Sequence, residues 1–134
     1  MTELVDFGRR IVAAQPFNAL VGVELLAMEE GRASFRLPLG PQHTQHHGFA
    51  HGGVIAYLAD LALSYAGGPA LGDCVTVEFK INYLRPGTGT ALIARGEVLK
   101  AGRNQAVCRA DIHAVDAEGV ERLCAAAQGT LARV

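Results

Sequence analysis

The feature that most constrains this chain is a segment that is apolar on every side of a helix. Residues 51 to 66 carry one acid, Asp60, among apolar residues that point in all directions around the helix axis: Val54, Ile55, Ala56, Leu58, Ala59, Leu61, Ala62 and Leu63. Such a helix is expected to be buried all round. One sheet can cover it only by curling around it, with the remaining side closed by another element or another subunit.

Glycine, proline and residue periodicity predict the other elements. Gly67-Gly68-Pro69 predicts the end of the long helix, because glycine suits a C-terminal cap and proline cannot continue a helix. A short N-terminal helix precedes Pro16. Residues 21 to 28 and 32 to 39 form a predicted strand pair, and residues 40 to 50 a loop. The predicted strands after the helix are 74 to 84, about 90 to 100, 104 to 115 and 120 to 132.

These elements predict an α+β fold, in which a long central helix is covered by an antiparallel sheet of about six strands. The last four strands are joined by short turns, so we expect them to form a meander. In the strand from 74 to 84, period-two alternation places Val75 and Val77 towards the core and Thr76 on the polar face. At 134 residues, positions 1–134 are expected to form a single domain.

Composition and charge narrow the classes of function. The 12 basic and 13 acidic residues give a net charge of −1, which argues against nucleic acid or an anionic membrane as a partner. Three widely spaced cysteines suggest reduced thiols rather than a disulfide framework. The N-terminal residues show no export signal, and Asp60 interrupts the longest apolar stretch. We therefore expect a cytoplasmic protein without a membrane span.

Asp60 and the start of the long helix are the candidate chemical groups. Burying a carboxylate costs several kcal/mol unless it is hydrogen-bonded or used, and for an arbitrary buried Asp a structural hydrogen bond is the commoner explanation. At the other end, Gly52 and Gly53 leave helix N–H groups without intrahelical partners and let a ligand approach closely. A plain turn is the alternative for this pair, but the helix dipole makes it a suitable oxyanion site.

Gly52 and Asp60 are eight positions apart, which is roughly 12 Å along a helix axis. Two groups at that separation cannot act on one carbonyl. If both act on the same carbon, they have to come from different copies of the helix, so the hypothesis requires a homodimer.

Three segments closely resemble the hotdog-fold acyl-CoA thioesterases of the phenylacetate-degradation (PaaI-like) type: GFAHGGVIAYLADLALSYAG, CVTVEFKINYLRPG and KAGRNQA. The resemblance begins at Pro16-Phe17, spans almost the whole chain, and is most specific at HGG followed seven positions later by Asp. It implies a curved sheet around the long helix, a dimer often paired into a homotetramer, and no cofactor.

The resemblance also implies roles for individual residues. Asp60 would be the catalytic carboxylate, as general base or as nucleophile forming a mixed anhydride, and the Gly52 N–H would polarise the thioester carbonyl. His51 and Gly53 complete the HGG motif. Where the family has an Asn that orients substrate or water, this chain has Gln45, whose amide is one methylene further out; His46 or His47 are the alternatives for that role. Thr76 falls where relatives have a Ser or Thr that positions the water.

Other polar residues have weaker implications. His43, His46, His47 and His51 lie within nine residues, but their spacing matches no common zinc pattern, so we expect no metal; His43 and His46 are expected in a solvated loop. Arg103, Lys80 and Arg85 are candidate contacts for the phosphates of coenzyme A, with simple solvation as the alternative.

Two other functions are compatible with the same fold. A hotdog hydratase or dehydratase would also act on acyl thioesters, but the segments expected of one are absent. A non-catalytic acyl-CoA sensor would bind without hydrolysis, although Asp60 together with HGG favours catalysis. The acyl group stays open between aryl-acetyl and medium-chain.

Overall fold

The computed structural model describes residues 2–134. Helices and strands follow in the order α1 (Thr2–Ala14), α2 (Pro16–Val21), β1 (Glu24–Glu29), β2 (Arg32–Pro38), a 3-10 turn (Pro41–His43), α3 (Gly52–Leu71), β3 (Cys74–Tyr83), β4 (Ala91–Ala101), β5 (Gln105–Val115) and β6 (Glu121–Arg133). The predicted α+β fold with a long helix and six antiparallel strands is confirmed. The short helix α2 was not predicted.

Helix α3 is longer than predicted. It continues through Gly67, Gly68 and Pro69 to Leu71, and Gly72 caps it with a positive φ of 80°. The prediction that the glycines end the helix is wrong because Gly67 is needed for packing. A Cβ atom there would lie 2.4 Å from Leu131 Cδ1 and 3.1 Å from Cys108 Sγ, so the strands can approach the helix only at a glycine.

The sheet has the strand order β1-β2-β4-β5-β6-β3. The predicted four-stranded meander is therefore wrong: only β4, β5 and β6 are consecutive neighbours, and β3 pairs with β6 at an edge. The connection from β3 to β4 passes the start of α3, where Gly87 packs against Ala50 and Ile55 and its carbonyl accepts a bond from the Ala50 N–H at 2.9 Å.

One side of α3 remains open in the single chain. The sheet fully buries Leu58, Ala59, Ala62, Leu63 and Ala66. Half-buried residues recur every three or four positions along this side of the helix. We call this row the open stripe; its residues are Tyr57, Asp60, Ser64 and Gly68. This open side is the one that is expected to be closed by another element or another subunit.

By length and composition alone, α3 would be able to cross a membrane, with 20 residues and a mean hydropathy of 1.3. More than half of it is buried inside the fold, however, which is what a core helix requires.

Strand β3 contains a bulge between Thr76 and Glu78. A bulge adds one residue and reverses the alternation of side chains. Beyond the bulge Phe79 and Ile81 face α3, whereas before it Thr76 faces the helix. Val75 and Val77 are 53% and 56% exposed, so the prediction that they point towards the core is wrong. The prediction that Thr76 lies on the outer polar face is wrong because of this bulge.

Candidate active site

His51 caps the N-terminus of α3 with its side chain. Its Nδ1 accepts a hydrogen bond from the Gly53 N–H at 2.8 Å, and its carbonyl accepts from the N–H groups of Val54 and Ile55 at 2.9 and 3.2 Å. Because Nδ1 is an acceptor, the proton of this neutral ring is on Nε2. Within residues 2–134 the Gly52 N–H donates to no acceptor, so it is the donor of the first turn that is free for a ligand.

Tyr83 covers the same turn from the end of β3. Its hydroxyl donates to the Gly52 carbonyl at 2.8 Å, and its ring lies 3.4 to 3.5 Å from where a Cβ of residue 52 would be. Sequence reasoning missed this residue. The alternation of side chains in β3 could have indicated it, since Tyr83 is on the same strand face as Phe79 and Ile81, the face towards α3.

Asp60 lies on the open stripe, two turns further along α3. Thr76 Oγ1 donates to Asp60 Oδ1 at 2.6 Å, and Ser64 Oγ lies 3.2 Å from Thr76 Oγ1. Since the Thr76 proton is committed to Asp60, Ser64 is the donor in the second contact. The three residues form a chain of hydrogen bonds that ends on the carboxylate. Ser64 was not predicted, although it is four residues after Asp60 and therefore on the same helix face.

Gln45 is held within its own loop. Its Oε1 accepts from the His47 N–H at 2.6 Å, and its backbone N–H donates to the Phe49 carbonyl at 2.9 Å. One lone pair of the amide oxygen is therefore used within the loop, and the side-chain NH2 donates to no acceptor within residues 2–134.

His43 contradicts the expectation of a solvated loop residue, because it is only 4% exposed. Its Nδ1 accepts from the Gly40 N–H at 2.9 Å, and its Nε2 donates to the Val21 carbonyl at 2.7 Å. The ring thus connects the 40–50 loop to the end of α2. His46 is exposed, as expected.

Tyr57 precedes Asp60 by one helical turn on the open stripe. Its hydroxyl donates to Asn18 Oδ1 at 2.5 Å, and burial, followed by the nearby Tyr65, raises its pKa to about 12, so it stays protonated at neutral pH. Phe17 packs edge-on against its ring, with a centroid distance of 5.2 Å and 57% of Phe17 exposed. An aromatic surface thus lies beside Asp60, which sequence reasoning did not predict.

The three basic candidates are exposed and are not brought together in one chain. Lys80 lies on the sheet face opposite to α3, beside Gln128. Arg85 follows the end of β3 that lies near Gly52. The turn with Arg103 lies at the opposite end of the sheet, level with Thr76 across the paired strands. The residues from Thr76 to Tyr83 span roughly 23 Å in an extended strand, so Arg85 and Arg103 of one chain do not meet.

Comparison with known proteins identifies the class. Residues 47–121 match the Thioesterase superfamily. A protein of Saccharolobus solfataricus that is provisionally named an esterase is 34% identical over 132 residues, covering 97% of this chain and 85% of its own. The medium/long-chain acyl-CoA thioesterase YigI of Salmonella typhimurium is 29% identical, covering 81% of this chain and 82% of its own.

Solved structures agree. A thioesterase family protein from Silicibacter pomeroyi superposes with a TM-score of 0.89 at 35% identity, covering 92% of this chain and 93% of its own. The Escherichia coli PaaI protein from the phenylacetic acid degradation operon has the same fold, with a TM-score of 0.87 at 24% identity and coverage of 99% and 94%.

The wrapped helix and these matches define a thioester hydrolase of hotdog fold. The chain belongs to the Thioesterase superfamily, and the predicted resemblance is confirmed.

Proposed function

We propose that this protein hydrolyses acyl-CoA thioesters to a free acid and coenzyme A, with Asp60 and the Gly52 N–H as its catalytic groups. The observation that carries the proposal is that the one carboxylate of α3 lies on the open stripe with a hydroxyl bonded to Oδ1. Within residues 2–134 its Oδ2 accepts no hydrogen bond, so this oxygen is available to a water or to the thioester carbon.

The Gly52 N–H would stabilise the oxyanion. A donor aimed at the carbonyl oxygen is worth about 3 kcal/mol when negative charge develops there. As a general base, Asp60 would remove a proton from the attacking water, and the thiolate of coenzyme A would leave. As a nucleophile, Asp60 would displace that thiolate and form a mixed anhydride, which water then hydrolyses to release the acid and free Asp60. Because Thr76 gives its own proton to Asp60, it would hold the water only as an acceptor.

The site would be shared by two chains in a homodimer, because Gly52 and Asp60 of one helix are roughly 12 Å apart along the axis. Two features support this proposal. The open stripe leaves one side of α3 uncovered, and β3 is a ten-residue edge strand with Val75 and Val77 more than half exposed. An unprotected apolar edge of that length favours pairing with another strand.

The positions of the basic residues agree with a shared site. Arg85 lies at the Gly52 end of one chain and Arg103 at the Thr76 end. When Gly52 of one chain faces Asp60 of its partner, the two arginines approach the same coenzyme A from different chains. Pairing of two dimers into a homotetramer is proposed from the resemblance. A cytoplasmic location is proposed from the three free cysteines.

The acyl group is proposed to be apolar. Phe17 and Tyr57 provide an aromatic surface one helical turn from Asp60, and the YigI relatives are named for medium and long acyl chains. Both phenylacetyl and medium-chain acyl groups suit such a surface.

Thiol release from acetyl-, hexanoyl-, decanoyl- and phenylacetyl-CoA tests the proposal. We expect turnover by the wild type and a loss of at least about a hundredfold in Asp60→Asn, the usual range for removing a general base. The matched control is Asp73→Asn, which changes an exposed carboxylate just after α3 and is expected to keep the activity. Tight binding of acyl-CoA without turnover by the wild type would instead support a sensor.

A further inference from the structure

We propose that Tyr83 is a positioning residue for hydrolysis, which fixes the peptide groups around the oxyanion donor. This inference rests on the proposed role of the Gly52 N–H. It starts from a continuous chain of hydrogen bonds: the Tyr83 hydroxyl donates to the Gly52 carbonyl at 2.8 Å, and the Gly53 N–H of that same peptide unit donates to His51 Nδ1 at 2.8 Å.

The first turn of α3 needs such an anchor. Two consecutive glycines destabilise a helix relative to alanine, because of the backbone freedom that they lose on folding. Gly53 has little space for a side chain, since a Cβ there would lie 3.0 Å from His51 Nδ1. The flexible turn is therefore held by its contacts rather than by its own propensity.

Tyr83 holds this turn from outside the helix. The His51 imidazole fixes one end of the 52–53 peptide unit, and the Tyr83 hydroxyl fixes its carbonyl end. The Gly52 N–H belongs to the preceding 51–52 peptide unit, whose carbonyl already accepts two helix N–H groups. The fixed 52–53 unit restrains that N–H from its other side and leaves it uncovered, because the bond from Tyr83 goes to a carbonyl oxygen and not to the donor. A preorganised donor needs no reorganisation when charge develops on the thioester oxygen.

Tyr83→Phe is the test, since it removes the hydroxyl and keeps the ring over Gly52. We expect kcat to fall about fivefold, the equivalent of one hydrogen bond, with KM unchanged. We expect hydrogen exchange of the Gly53 amide, measured by NMR, to become faster by a similar factor. Tyr65→Phe is the matched control, because the Tyr65 hydroxyl is buried and has no partner within the described residues; its kcat and Gly53 exchange are expected to stay at the wild-type values.

The outcomes separate this inference from the proposed function. An unchanged kcat in Tyr83→Phe, in an enzyme that Asp60→Asn inactivates, would overturn the role of Tyr83 alone. A lower melting temperature with unchanged kcat would make the bond merely structural and would also overturn it. If the wild type releases no thiol, the proposed function fails and this role fails with it, whereas unchanged Gly53 exchange in Tyr83→Phe refutes the anchor whatever the activity.

Discussion

The hydroxyl of Thr76 donates a 2.6 Å hydrogen bond to Oδ1 of Asp60 and so connects the edge strand β3 to the open stripe of α3. The contact exists because the bulge after Thr76 turns this residue inward, while the strand beyond it continues with the opposite phase. A local irregularity in one strand thereby supplies the only side-chain hydrogen bond that Asp60 receives within residues 2–134.

Replacing Thr76 by valine tests this contact, because valine keeps the shape and removes the hydroxyl. A hydrogen bond to a charged group is worth about 1.5 to 3 kcal/mol, so we expect kcat/KM to fall by about ten- to a hundredfold. Thr76→Ser is the matched variant and is expected to retain most of the activity. Equal kcat/KM values for the valine and serine variants would show that the hydroxyl is not used.

Ser64→Ala removes the other end of the hydrogen-bond chain. Ser64 donates to Thr76 rather than to Asp60, at the longer distance of 3.2 Å, so we expect a smaller loss in kcat/KM, of about two- to fivefold. The double variant with Thr76→Val should be no worse than Thr76→Val alone, since Ser64 acts through Thr76. Additive losses in a double-mutant cycle would contradict this order.

Gly96→Ala tests the close approach of β4 to α3. A Cβ at residue 96 would lie 2.2 Å from the carbonyl oxygen of Ala62, which is backbone and cannot move aside. We expect the free energy of unfolding in urea to fall by roughly 3 kcal/mol. Gly102→Ala is the control, because the nearest atom, the Gln105 carbonyl oxygen, is 3.6 Å from its Cβ. Equal losses in both variants would rule out this close approach.

The buried thiol of Cys108 is expected to lower the free energy of unfolding as the pH becomes alkaline. Burial, followed by the nearby Cys74, raises the pKa of its thiol from 9.0 to about 11. The folded state therefore keeps a proton that the unfolded chain loses, so this contribution to stability is complete below pH 9 and is lost as the pH rises from about 9 to about 11. Cys108→Ala should show a shallower decline of the free energy of unfolding over that range than the wild type. Parallel declines would contradict the assignment.

The sequence indicated the elements better than their arrangement. The alternation in β3 and the apolar run of α3 are local patterns, and both elements were predicted from them. Pairing of β3 with β6 depends on residues far apart in sequence, and the bulge at Thr76 carries no glycine or proline that would mark it. The end of α3 was mispredicted because packing against Leu131 and Cys108 decided it, rather than the local signal of two glycines.

For the candidate site, the sequence suggested candidate groups but not their neighbours. Asp60 and Gly52 were suggested by the apolar helix and its glycine-rich start, and Thr76 by the resemblance to the thioesterase family. Ser64 and Tyr83 act through hydrogen bonds to other residues, and such contacts depend on how β3 lies along the helix.

The central claim is that Gly52 of one chain and Asp60 of its partner form one active site. Two variants separate these groups. Asp60→Asn removes the carboxylate, and Gly52→Pro removes the N–H while allowing the helix, because proline suits the first helical position and His51 is already extended, with φ −62° and ψ 137°. Each variant alone is expected to form folded, inactive dimers.

Refolding the two variants together in equal amounts is the most direct measurement. Half of the dimers are then mixed, and each mixed dimer has one site in which both groups are intact, so about a quarter of the wild-type thiol release should return. Circular dichroism of each variant verifies that it is folded. Activity of the mixture that stays at the level of the separately refolded variants would contradict a site shared between two chains.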